Sequence, residues 1–193
     1  MKIRLPTLLV ASIIASGCAD NRPLPAGPPP PSTPTESPAD EVATKVDIYS
    51  AVIRRLVTKD HTFGGGPSPF KFIYIVNGPI SDAGDPLGDH FGPAPDPFSS
   101  DVIEGIDDQL RSLPPIRFIM DGDDVRLGRQ GIAGVKNNGV IISLGHIERK
   151  KGRVHVSNGL WCGGTCGQWL TYVLEQRGDT WKITGTTGPH AIS

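Results

Sequence analysis

The sequence predicts an α+β domain: an antiparallel sheet with a C-terminal meander and two helices packed on one face. Three observations carry this expectation. Val42, Val46, Tyr49, Val52, Ile53, Leu56 and Val57 recur at helical spacing. A shorter stripe, Val102, Ile103, Ile106 and Leu110, lies between the cap signal Ser99-Ser100-Asp101 and the stop Pro114-Pro115. From residue 116 onward the pattern changes to short β-branched and aromatic runs separated by glycine-bearing turns. Helices followed by a run of strands segregate the helices to one side of an antiparallel sheet.

Length and charge narrow the field further. A chain of 193 residues with 37% hydrophobic side chains builds one ordinary domain and no large multidomain enzyme. Its 19 basic and 20 acidic side chains give a net charge of −1, so no basic field exists to hold a phosphate backbone, and nucleic acid is excluded as a partner.

In chain order, the first element is an export signal. Met1-Lys2-Ile3-Arg4 is a basic start, an apolar run follows to Ile14, and Ala15-Ser16-Gly17 supplies the small residues of a cleavage region. The run is too short to cross a bilayer as a helix, which needs about 20 apolar residues. Ala15-Ser16-Gly17-Cys18 resembles the lipobox of bacterial lipoproteins. That resemblance implies that residues 1–17 are removed and that Cys18 becomes a diacylglyceryl-modified, palmitate-bearing N-terminus anchored on the extracytoplasmic face of the cell membrane. Losing Lys2 and Arg4 leaves a slightly acidic body, so anchoring would rest on acyl chains, each buried methylene contributing about 0.8 kcal/mol.

Residues 18–37 then read as a tether. Half of the residues from Pro23 to Pro38 are proline, interleaved with small polar residues, a composition that cannot bury a core and favours extended polyproline II. At about 3.1 Å per residue such a segment reaches roughly 60 Å.

The globular domain is expected over residues 38–193. Ser37 can cap a helix with Pro38 in its first position and Asp40 and Glu41 at the positive end of its dipole. The stripe runs out near Lys59-Asp60. Residues 70–76 read as a buried strand, and residues 77–98 as a long irregular loop of the kind that is usually functional or disordered. After the second helix, strands are expected over 116–120, 139–147, 153–161, 167–175 and 180–184, with Asp121-Gly122-Asp123-Asp124 as a tight turn.

Cys162-Gly163-Gly164-Thr165-Cys166 sits between two of these strands. In an exported chain with three cysteines, one lipid-bearing Cys18 leaves Cys162 and Cys166 for a disulfide, favoured over a redox or zinc role because the spacing and ligand count suit neither. Pairing 162 with 166 places Val154, Val156, Leu160, Leu170, Tyr172 and Leu174 on one face, the expected core side. The turn at Gly178-Asp179 sets Leu174 opposite Ile183 and Gln176 opposite Trp181. Trp161, Trp169 and His155 share the other face, where they form a candidate ligand or partner patch or lie beneath a loop. The final hairpin, with Tyr172, Leu174, Gly178, Trp181, Lys182 and Ile183, resembles the last strands of the cystatin and NTF2-like superfamilies.

Chemistry-bearing motifs are sparse. Asp82, Asp85 and Asp89 concentrate carboxylates beside glycines, a weak calcium candidate whose spacing does not match an EF-hand and which reads more simply as a solvated loop. No nucleophile elbow, no cysteine–histidine pair and no metal-binding histidine spacing occurs among His61, His90, His146, His155 and His190. Asp60, Glu104 and Glu148 are carboxylates that a fold would have to bring together for glycoside hydrolysis. No cofactor motif is present. These readings point to a membrane-anchored binding or envelope-interaction module that contacts an envelope protein or small ligand. The alternative is a small hydrolase or lyase with His155 or an aspartate as base, or a lipid carrier, with a cavity between sheet and helices.

Overall fold

The computed structural model describes residues 37–64, 67–88, 91–128 and 133–193. The residues expected to form the export signal, Cys18, most of those expected to form the tether, Asp89 and His90 lie outside them. The elements are α1 (Pro38–Thr58), β1 (Phe72–Pro79), α2 (Ser100–Gln109), β2 (Ile116–Ile119), β3 (Arg126–Leu127), β4 (Gly134–Val135), β5 (Gly139–Leu144), β6 (Glu148–Lys150), β7 (Arg153–Gly163), β8 (Cys166–Arg177) and β9 (Thr180–Ile192). The expected α+β class holds: two helices and a mostly antiparallel sheet with a C-terminal meander.

Local chemistry sets the helix ends. Ser37 caps α1 in a capping box with Asp40, and Pro38 occupies the first turn where its missing N–H costs nothing. Ser99 caps α2 by accepting from the Val102 N–H. The apolar stripe of α1 is buried from Val46 through Val57. Val102 and Ile106 of α2 join it, and a methyl group on Gly105 would collide with Val46, so glycine lets the two helices close.

The sheet departs from the expectation in one respect. β1 pairs in parallel with both β2 and β5, while β5, β6 and β8 run antiparallel to β7, and β9 antiparallel to β8. The sheet is therefore mixed. The reason is α2: a 10-residue helix between β1 and β2 returns the chain to the end where β1 began, which is what a parallel pairing requires.

The β7–β8 register follows the expectation, with Val154 opposite Leu174, Val156 opposite Tyr172 and Trp161 opposite Gly167. A bulge at the turn makes Gly163, instead of Cys162, the partner of Cys166. On β9, Leu174 pairs with Ile183 and Gln176 with Trp181; the strand continues past Thr184 to Ile192 through two register shifts.

Both faces of the sheet are filled. On the helix side Ile73, Ile75, Ile142, Val154, Val156, Leu160, Leu170, Tyr172 and Leu174 pack against α1 and α2. On the other side Tyr74, Val76, Ile141, Trp161 and Trp169 form a second core. Ile80, Ala83, Ala94 and Phe91 of the long irregular segment lie over it, with Val125 and Val135 of the β3–β4 region. β1 runs on to Pro79, into the stretch expected to be irregular, and the described residues beyond it cover the sheet, which accounts for a long connection without regular structure.

Candidate functional site

The two tryptophans of the expected ligand face are part of the second core. Trp161 is 8% exposed and Trp169 6%. The Trp161 ring meets Phe91 edge-on with centroids 5.3 Å apart, and the Arg126 guanidinium lies 4.9 Å from the Phe91 ring and 5.1 Å from the Trp161 ring. Gly159 and Gly167 underlie Trp169, since a methyl group on either would strike its indole. The structure thus separates the three residues of that face: the indoles are covered, and His155, six positions from Trp161, remains half-buried in a polar crevice.

That crevice, of about 320 Å³, is lined by Glu148, Lys150, His155, Ser157, Thr171 and Thr187. Strand register assembles it. Glu148 pairs with His155 across β6 and β7, and two residues along, Ser157, Thr171 and Thr187 form a second polar row across β7, β8 and β9. Lys150 binds Glu148 at 2.5 Å and holds its carboxyl below the usual glutamate range, with smaller help from His155 and His146.

Both histidines act on Glu148 electrostatically, and His146 lines a second crevice of about 440 Å³. This one opens at the carboxyl ends of the parallel strands β1 and β5, between α1 and the N-terminus of α2, the position where open parallel sheets commonly bind ligands. Tyr49, Phe98, Val102 and Ile147 give it an apolar floor; Lys45, Asp96, Ser99 and His146 are its polar groups. The Tyr49 ring meets Phe98 at an interplanar angle of 59° with centroids 5.1 Å apart, and its hydroxyl donates to the Gly145 carbonyl at 3.1 Å. Burial pushes the Tyr49 phenol well above its ordinary pKa, which keeps it a neutral donor. A small apolar ligand face with a few directed polar contacts fits such a surface. Sequence reasoning missed Lys45, Asp96 and His146 as a group, because only the parallel pairing of β1 with β5 brings residues 45, 96 and 146 together.

The remaining candidates are dispersed. Cys162 and Cys166 are bridged across the turn with Cα atoms 5.2 Å apart, and Thr62 donates to the Cys166 sulfur at 3.4 Å. Asp85 accepts from the Leu87 N–H in a local turn, Asp82 is exposed, and Asp89 is outside the described residues. No group of three metal-ligating side chains occurs among the described residues. Asp60 is engaged by Arg55 and Tyr172 on the helix side of the sheet, Glu148 shares the opposite face with His155, and Glu104 is exposed on α2, so the three carboxylates do not meet. No helix among the described residues is long and apolar enough to cross a membrane. Comparisons with protein-family models, with curated proteins and with solved structures found no match.

Proposed function

We propose that this chain is a lipid-anchored extracytoplasmic binding module whose ligand enters the crevice at the carboxyl ends of β1 and β5. The crevice itself carries the reading: an apolar floor ringed by Lys45, Asp96, Ser99 and His146. Anchoring rests on the basic start, the short apolar run and Ala15-Ser16-Gly17-Cys18, followed by the proline-rich tether. The packed faces give no support to a lipid carrier.

The full chain, incubated with a small-molecule extract of the envelope, tests this. A rise in melting temperature that disappears in Lys45→Glu and His146→Ala, with the extract chemically unchanged, is the expected result. Consumption of an extract component by the wild-type chain would overturn the reading and favour a hydrolase. In that second reading His155, aligned with Glu148 by register and two residues from Ser157, is the base. For the anchor, Cys18→Ala is expected to leave the membrane fraction and to lose incorporation of labelled palmitate.

A further inference from the structure

We propose that a separate groove, between the outer face of α1 and the β8–β9 turn, binds a neutral saccharide ring. One wall is the α1 stripe Asp47, Ser50, Ala51 and Arg54; the other is Asp179, Thr180 and Trp181 of the turn, and the groove between them has a volume of about 380 Å³. The small side chains of Ser50 and Ala51 open a slot opposite the half-buried indole. Ser50 lies at its floor, only 3% exposed, and its hydroxyl has no hydrogen-bond partner among the described residues. A buried hydroxyl without a partner costs free energy that a ligand or its bridging water can recover.

The polar groups are held in place in advance. The side-chain amide of Gln109 at the end of α2 donates to the Asp47 carboxylate at 2.5 Å, and the Gln109 backbone carbonyl accepts from Arg54 at 2.6 Å. Arg54 also donates to Ser112 at 3.1 Å. Such preorganisation reduces the ordering cost of binding.

Charge selects the ligand class. The two carboxylates on the walls, Asp47 and Asp179, are balanced by Arg54 and by the Arg149 guanidinium, 6.0 Å from the Trp181 ring, so no net field draws an anion or a cation into the groove. The class that remains is neutral, flat on one side and rich in hydroxyls: a sugar ring, whose C–H face covers the indole while its hydroxyls donate to Asp47 and Asp179 and accept from Arg54 and Ser50. The inference is independent of the crevice at the ends of β1 and β5.

The test is saturation-transfer NMR on the full chain, held in a detergent without a sugar headgroup, against maltose, cellobiose and N,N′-diacetylchitobiose, with spermidine and glucose 6-phosphate as charged probes. Saturable transfer to at least one neutral disaccharide is expected, weakened by roughly tenfold or more in Trp181→Ala and in Asp179→Ala. Trp181→Phe should retain most of the binding, and Asp179→Ala, on an exposed turn, keeps the test meaningful if Trp181→Ala fails to fold. Absence of transfer to every neutral sugar, preference for a charged probe, or sugar binding unaltered by Asp179→Ala each overturns the proposal.

Discussion

The phenol of Tyr172 donates to the carboxylate of Asp60 across 2.8 Å, joining the end of α1 to the middle of the sheet over 112 residues of chain. The same Asp60 oxygen accepts from Arg55 Nε at 2.6 Å. Tyr172 is wholly buried and Arg55 partly exposed, so the carboxylate sits where a core hydroxyl meets a surface cation. Burial, reinforced by Asp60, raises the Tyr172 phenol far above its ordinary pKa and keeps it protonated as a donor.

Removing that hydroxyl should cost a hydrogen bond while leaving Asp60 paired with Arg55. Tyr172→Phe is expected to lower unfolding stability by about 1–2 kcal/mol. Asp60→Ala should cost more, because it strands both the buried phenol and Arg55. Urea denaturation of the two variants, with unchanged slope, checks the order.

His61 gives the stability a pH dependence. Its ring is 6% exposed beside Phe70, its Nδ1 accepts from the Phe63 N–H, and burial lowers its pKa against a smaller opposing effect of Asp60. The unfolded chain therefore takes up a proton near the ordinary histidine value while the folded chain does not. This contribution is complete above that value and is lost as pH falls from it toward the depressed folded pKa. Melting curves across that window should show a shallower acid loss for His61→Leu than for the wild-type chain.

Trp161 and Trp169 should behave as core residues. Trp161→Ala is expected to cost about 3–5 kcal/mol, by the cavity it leaves under Phe91 and Arg126. A near-neutral change in chemical denaturation would instead mark an exposed patch.

The Cys162–Cys166 bridge closes a very short loop, with a sequence separation of 4. The chain-entropy contribution for so small a ring is about 2 kcal/mol, so reduction should lower the melting temperature without unfolding the domain. Unfolding on reduction at room temperature would show that the turn holds more of the core than this loop length implies.

Gly105 offers a packing test. Gly105→Val places a side chain against Val46, where α1 and α2 are in contact, and overpacking of this kind costs about 1–3 kcal/mol. Gly185, whose added side chain would enter open space, is the control position for Gly→Ala, expected to change stability by well under 1 kcal/mol.

What the sequence determined by itself is local or nearly so: the caps at Ser37 and Ser99, the α1 stripe, and the meander, whose β7–β8 register runs outward from the Cys162–Cys166 turn and whose Gly178-Asp179 turn places Leu174 opposite Ile183. A turn of fixed length and a side-chain period of two suffice for that, because each strand is measured from its neighbour. The tertiary structure alone decided the parallel seating of β1 between β2 and β5, the covering of Trp161 and Trp169 by Ile80, Ala83, Phe91 and Ala94, and the crevice that joins Lys45, Asp96 and His146. Those contacts link residues tens of positions apart with no turn between them to set their register. Their signal is complementarity of packed surfaces, which exists only once the sheet has formed.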